Sequence, residues 1–222
     1  MLPNGMTHLR GKFIVFDGGE GCGKSTQAHL LKERLETAGL EVLLVRDPGT
    51  TRIGEQIRAI LLNPDHQEMG MRCEMLLYMA ARAQMMKEVI QPALNGGKVV
   101  ISDRFISSTL AYQAGHEGLT TQEIIAVGDI AVDRRWPDLT IILDMSVESA
   151  RVKPKFTLFP DDPDAGVEKD RIEQRPLEYH RQVRQKYLQQ AKERPGLYRV
   201  IDADQDKAAV HQQIMQALEG IR

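Results

Sequence analysis

The sequence predicts an α/β layered fold built on a parallel sheet, and two patterns point to it. Five short apolar runs rich in β-branched residues recur along the chain: FIVFD (13–17), VLLV (42–45), VVIS (99–102), TIILD (140–144) and YRVID (198–202). Such runs suit strands buried on both faces. Helical patterns lie between them, and strands alternating with helices give parallel sheets covered by helices. A third observation places the chemistry. DGGEGCGKST, RDPG and DRF follow the first three runs, and in such sheets ligands bind beyond the carboxyl ends of the strands.

The first run leads through a glycine-rich turn into a helix expected over 25–38, which Gly39 ends. A second helix is expected over 52–62. A long one follows over 71–95, stopped by Gly96 and Gly97, and another over 121–133. Trp136 reads as a core or turn residue ahead of the fourth strand. Beyond that strand come a short helix, an irregular segment over 151–174, a long polar helix over about 175–194, the fifth strand and a last helix over about 207–221. At 222 residues the chain reads as one domain, with 151–174 as a small lid segment.

Composition excludes several classes of function. The formal charge of −2 offers no bulk attraction for nucleic acid or a membrane surface. Cys22 and Cys73 form no CxxC, so neither a disulfide framework nor a zinc site is implied, and the six histidines include no HExxH. The amino-terminal MLPNGMTHLRGK lacks the apolar run of a signal peptide. No segment approaches the roughly 18 apolar residues of a membrane span. A reducing, cytoplasmic setting is expected.

GGEGCGKST contains G-x-x-x-x-G-K-S, with Gly18, Gly23, Lys24 and Ser25 at the fixed places. A strand before it and a helix after it are the context that makes this a P-loop. The stretch Gly18, Gly19, Glu20, Gly21, Cys22, Gly23, Lys24, Ser25, Thr26 is therefore expected to wrap the phosphates of a nucleoside triphosphate with backbone N–H groups at a helix amino end. Lys24 can reach the β and γ phosphates and Ser25 can hold Mg²⁺. Cys22 occupies a variable place in the loop, and the helix end is expected to favour its thiolate, giving alkylation that ATP blocks.

The acceptor is expected to be a second phosphate. A hydroxyl acceptor commonly needs a base, and no HRD motif is present. A monophosphate, with a second pKa near 6, is already largely ionised at about pH 7. Its difficulty is repulsion between anions, which arginines and Mg²⁺ offset. Arg104 ends the third strand beside Asp103, and Arg58 lies on the helix after RDPGTT. In EMLLYMAAR, Glu74, Tyr78 and Arg82 recur at i, i+4 and i+8, along one helical face. An aromatic with an arginine one turn on can stack a base and bond its carbonyl edge.

DGGEGCGKST, RDPGTT, EMLLYMAAR, VVISDRF, SSTLAYQ, RRWPDLTIILD and DRIEQ stand in the order found in thymidylate kinases, and from about residue 12 onward the chain resembles the bacterial type of that family. The resemblance implies a P-loop NTPase fold with a five-stranded parallel sheet, a homodimer, and transfer of the ATP γ-phosphoryl group to dTMP, giving dTDP. It implies that Arg58 and Arg104 hold the dTMP phosphate, that Tyr78 stacks on thymine and that Arg82 reads its carbonyl edge. Thr109, with Ser108 beside it, would face the pyrimidine edge. Tyr112 would crowd the place of a ribose 2′-hydroxyl, with Gln113 close by. Glu20 matches the acid that meets the deoxyribose 3′-hydroxyl, and Asp103 would organise Mg²⁺ and its waters.

In this family the segment after the fourth strand closes over ATP, and members whose P-loop lacks an arginine supply arginines from that lid. Here the basic residues thin to Arg151, Lys153 and Lys155, ahead of FTLFPDDPDAGVEK (156–169) and Arg171. Lysine cannot copy the planar fork of arginine. Arg151 and Arg171 are therefore expected at the transferring phosphate, Lys153 and Lys155 as weaker aids, and the acidic middle as a solvated, mobile tip. Rival readings are another nucleoside monophosphate kinase, a deoxynucleoside kinase, and a P-loop regulatory NTPase or motor; no NKxD guanine motif is present.

Overall fold

Strand β1 (Phe13–Gly18) is buried along its whole length and feeds two cores. Ile14 and Phe16 join Leu31 and Leu35 of α1 (Lys24–Thr37) and Ile214 and Leu218 of α9 (Lys207–Glu219) on one face of the sheet. Phe13 and Val15 join Met75 and Met79 of α3 (Met71–Met85) and Ile106 of α5 (Ile106–Tyr112) on the other. Burial on both faces is why the strands read as apolar runs without clean alternation. The computed structural model of the chain describes residues 6–152 and 170–221, the side chain of Arg151 excepted.

The remaining strands are β2 (Val42–Arg46), β3 (Val99–Asp103), β4 (Leu139–Asp144) and β5 (Tyr198–Asp202), and all five lie parallel in the order β2-β3-β1-β4-β5. Phe16 pairs with Asp103, and Arg46 also pairs with Asp103. That register sets the turns after β1, β2 and β3 side by side. Chain leaving β1 enters α1 on one face and chain leaving β3 enters α5 on the other, which opens a crevice beyond their carboxyl ends.

The other helices follow local chemistry. Thr51 caps α2 (Arg52–Leu62) by accepting from the Gly54 N–H, and a Thr120–Glu123 capping box starts α6 (Thr121–Ala131). Helix α6 stops short of the expected residue 133 because Asp133 and Arg134 take φ of +47° and +56°. The long helix expected over 71–95 is interrupted by a π-helical turn, Met86–Ile90, before α4 (Gln91–Asn95). Pro92 lacks the N–H that would bond the Glu88 carbonyl, so the ladder shifts register ahead of it. Helix α8 (Leu177–Glu193) starts later than expected because Pro176 disfavours a helical Arg175.

Helix α5 was not anticipated as a helix. Its residues ISSTLAY are buried throughout, so tertiary packing decides their conformation over propensity. Trp136 donates a 2.7 Å hydrogen bond from Nε1 to Asp129 Oδ1, holding the turn ahead of β4. Helix α7 (Val147–Val152) follows β4. Lys153, Lys155 and the acidic stretch 156–169 lie outside the described residues. No described helix is long and apolar enough to cross a membrane.

Candidate active site

The loop after β1 is shaped by close backbone approaches. Gly18 has φ of +133°, and a Cβ there would lie 2.5 Å from the Leu143 carbonyl oxygen. At Gly21, φ +71°, a Cβ would lie 2.5 Å from the Ala150 carbonyl oxygen, so the loop presses against the end of α7. Lys24, the first residue of α1, is buried and folds its ammonium over the loop, donating to the Gly19 carbonyl at 2.7 Å and to that of Gly18 at 3.4 Å. Ser25 Oγ donates to Asp103 Oδ2 at 2.7 Å, joining the start of α1 to the end of β3.

Cys22 corrects an expectation. Its side chain is buried, Sγ donates to the Gly19 carbonyl at 3.1 Å, and burial pushes the thiol up despite Lys24 and Arg104 nearby. Desolvation outweighs the helix end here and disfavours the thiolate that the sequence reading expected to be favoured.

Beside the loop lies a cavity of about 180 Å³. Every residue expected at dTMP lines it: Glu20, Arg58, Tyr78, Arg82, Arg104, Ser108, Thr109, Tyr112 and Gln113. Asp47 and Pro48, Leu62, and Asp170, Ile172 and Glu173 complete the wall.

Arg104 stands between cavity and loop. Its backbone has φ of +70°, a left-handed conformation unusual for arginine, held by an N–H bond to the Phe16 carbonyl at 2.9 Å and by Ser102 Oγ on its own carbonyl at 2.6 Å. Nη1 donates to the Gly18 carbonyl and to Ser108 Oγ, both at 3.2 Å, and to Tyr187 OH at 3.3 Å. Nη2 is ion-paired with Glu20. The guanidinium also lies 5.4 Å from the centre of the Tyr112 ring. Tyr112 OH donates to Glu20 at 3.1 Å. Burial opposes ionisation of Glu20, but Arg104 and Lys24 outweigh it and hold its carboxyl at about 2.

Arg82 is buried in the cavity wall beside Tyr78. Nε donates to Asp47 Oδ2 at 2.5 Å, Nη1 to Thr109 Oγ1 at 2.7 Å and Nη2 to the Phe105 carbonyl at 2.9 Å. Its guanidinium carbon sits 5.5 Å from the Tyr78 ring centre. Each guanidinium nitrogen has a partner, so Arg82 is held in place beside the Tyr78 ring. Arg58 donates to the Pro48 carbonyl at 3.2 Å.

Several residues here escape sequence reasoning. Asp17 is fully buried at the end of β1 and accepts from Ser107 Oγ at 2.5 Å, Ser108 Oγ at 2.7 Å and Tyr187 OH at 2.5 Å. It thereby ties α8 and α5 to the loop. An acid inside an otherwise apolar strand run was the available signal. Arg171 is placed differently from expectation: it is buried, ion-paired with Glu74 and bonded through Nε to the Leu61 carbonyl at 3.0 Å. A buried carboxylate claims its charge, so it does not line the cavity. Arg151 has its backbone in α7, and its side chain lies outside the described residues.

Among the described residues, no group of three or more His, Cys, Asp or Glu is arranged to hold a metal. Mg²⁺ asks for less, since it is commonly held by one or two protein oxygens together with waters and phosphate oxygens. The Ser25 hydroxyl and the Asp103 carboxylate are hard oxygen donors of that kind, side by side at the phosphate loop.

Comparison with known proteins agrees in sequence and in fold. A family model described as thymidylate kinase matches residues 16–214. Thymidylate kinase of Halothermothrix orenii is 42% identical over 212 residues, covering 96% of this chain and 98% of the relative. That of Pelotomaculum thermopropionicum is 43% identical over 213 residues, covering 96% and 95%. The crystal structure of thymidylate kinase from Ehrlichia chaffeensis superposes with a TM-score of 0.73 at 31% identity, over 95% of this chain and 99% of that one.

Proposed function

The chain belongs to the thymidylate kinase family and is an ATP-dependent dTMP kinase, and on that premise we propose how its residues divide the reaction. The loop 18–26 holds ATP, the cavity beside it holds dTMP, and Arg104 serves both. The observation that carries this reading is the placement of Arg104, whose Nη1 bonds the loop at the Gly18 carbonyl while its side chain lines the cavity.

An oxygen of the dTMP phosphate attacks the γ-phosphorus of ATP, and the bond from that phosphorus to the β–γ bridging oxygen breaks, leaving dTDP and ADP. The attacking oxygen is already ionised near neutral pH, so the site needs no base for it. It needs compensating positive charge and alignment. Lys24 supplies charge to the ATP phosphates, and Arg58 and Arg104 supply it to the acceptor phosphate. Glu20 keeps Arg104 at the mouth of the cavity and is placed to receive the 3′-hydroxyl. Tyr78 offers the base a flat partner, and Arg82, pinned by Asp47, presents a fixed edge beside Thr109 and Ser108. Tyr112 closes the sugar end, with Gln113 behind it.

Arg151, with Lys153 and Lys155 as weaker aids, would serve the transferring phosphate, a reading supported by the close approach of Gly21 to Ala150, which sets the end of α7 against the loop. Ser25 and Asp103 would hold Mg²⁺, which would supply positive charge to offset the phosphates. We place the reaction in the cytoplasm, which suits two free thiols. A homodimer would cover the exposed Ile53 and Ile60 of α2 and Leu76 of α3; light scattering at micromolar protein tests it.

The deciding experiment is ADP release from ATP with and without dTMP, repeated with the other nucleoside monophosphates. Strong stimulation by dTMP above the rest is expected. Equal turnover without any acceptor would favour an NTPase, and stronger stimulation by another monophosphate would reassign the base.

A further inference from the structure

Glu74 is fully buried in the first turn of α3, one turn before Tyr78 and two before Arg82. Gln113 Nε2 donates to its Oε1 at 2.7 Å. Its Oε2 takes Arg171 Nη2 and, at 2.7 Å, Arg175 Nη2. One carboxylate on α3 thus gathers two guanidinium groups from the turn 171–175 and an amide from just beyond α5, joining three parts of the chain. Arg171 extends the network to a fourth, because its Nε and backbone N–H bond the Leu61 and Leu62 carbonyls at the carboxyl end of α2. Arg175 reaches α5 as well: it bonds Tyr179 OH, which in turn donates to the Tyr112 carbonyl at 2.6 Å.

We propose that Glu74 is a positioning residue for the acceptor cavity: through Arg171 and Arg175 it fixes the wall formed by Asp170, Ile172 and Glu173 against the helices that bear Arg58, Tyr78 and Arg82. The proposal rests on the reading of that cavity as the dTMP site. The physical reason is charge. A buried guanidinium is held only while its counter-charge is present, and removing one partner leaves the other unpaired in a medium that solvates it poorly. Two arginines share that one carboxylate as counter-charge, beside the neutral bonds of Arg171 to Leu61 and Leu62 and of Arg175 to Tyr179. Arg171 and Arg175 flank the turn 171–175, so losing their shared anchor displaces both ends of the wall.

The test is steady-state kinetics of Glu74→Gln and Glu74→Asp with the melting temperature recorded for each. Glutamine keeps the shape and can still accept from Gln113, but it lacks charge for the arginines. The expected result is a rise of about tenfold in the KM for dTMP with the KM for ATP changed by less than about twofold, and partial recovery in Glu74→Asp, which keeps the charge on a shorter stem. A folded Glu74→Gln enzyme with an unchanged KM for dTMP, or with both KM values raised alike, overturns the proposal. If Glu74→Gln does not fold, Arg175→Gln, which leaves the Arg171 pair in place, gives the answer by the same two KM values. Wild-type ADP release is measured first. A wild type indifferent to dTMP overturns the functional reading and this proposal together, whereas a dTMP-stimulated wild type with unaffected variants overturns this proposal alone.

Discussion

Ser25 Oγ donates a 2.7 Å hydrogen bond to Asp103 Oδ2, so the first turn of α1 and the end of β3 are joined at the phosphate loop. The two oxygens are those assigned to Mg²⁺, and each orients the other. Asp103→Asn keeps an oxygen acceptor for the Ser25 hydroxyl but removes the negative charge. The expected outcome is a loss of about 10–100-fold in kcat, with more Mg²⁺ needed for half-maximal rate and little change in the KM for dTMP. A Mg²⁺ titration of ADP release checks it, and an unchanged Mg²⁺ requirement would remove Asp103 from the metal site.

Arg104 is the residue through which the cavity and the ATP loop share a charge. Its φ of +70° is strained for alanine as for arginine, so Arg104→Ala changes the side chain without relieving the backbone. That variant loses the charge proposed to serve both phosphates and is expected to fall about 100-fold or more in kcat. Arg104→Lys restores a point charge but not the fork that meets Gly18, Ser108, Tyr187 and Glu20 together. Its turnover should lie between the two. Normal turnover in Arg104→Ala would count against the whole assignment.

Part of the cavity was legible from position and spacing, namely Arg58, Tyr78, Arg82 and Arg104, whereas Glu20, Ser108, Thr109, Tyr112 and Gln113 followed only from the resemblance to thymidylate kinases. Tyr78 and Arg82 share a face by periodicity, and Arg104 is fixed by the end of β3. What joins those motifs was not legible. Glu74 finds Arg171 and Arg175 across separations of 97 and 101 residues, and Asp17 finds Tyr187 across 170. No local pattern encodes such partners; they follow from how the layers stack. Arg171 illustrates the result, since its charge type was readable and its burial against Glu74 was not. The π-helical turn is different, because Pro92 was a visible signal for it.

Cys22 and Cys73 separate burial from exposure. Cys22 is buried with its thiol pushed up, and Cys73 is exposed on α3. Only the thiolate attacks alkylating reagents. Iodoacetamide near neutral pH should therefore modify Cys73 in the folded protein and leave Cys22 intact, with or without ATP. Both should react once the protein is unfolded in denaturant. Peptide mass mapping reads the two sites, and rapid native labelling of Cys22 would show that the loop opens.

Asp170 gives the stability a pH dependence of its own. Its Oδ1 accepts from the Ile172 and Glu173 N–H groups, both at 2.8 Å, yet burial, reinforced by the Glu20 and Glu173 carboxylates, pushes it up from 3.8 to about 6. The folded chain therefore binds this proton more tightly than the unfolded chain does. Folding takes up a proton between those two values, so the contribution of Asp170 falls as pH rises from about 4 to about 6 and is level above that. Glu20 runs the other way in a lower window: its stabilisation is present above 4.5 and is lost as pH falls toward about 2. Asp170→Asn keeps the acceptor oxygen, removes the titration and leaves Glu20 in place, so comparing the two proteins isolates Asp170. The melting temperatures should agree near pH 4, and the variant should gain on the wild type between about pH 4 and pH 6, holding that gain at pH 7. Parallel melting curves over that range would mean that Asp170 titrates in the folded protein as it does in the unfolded chain.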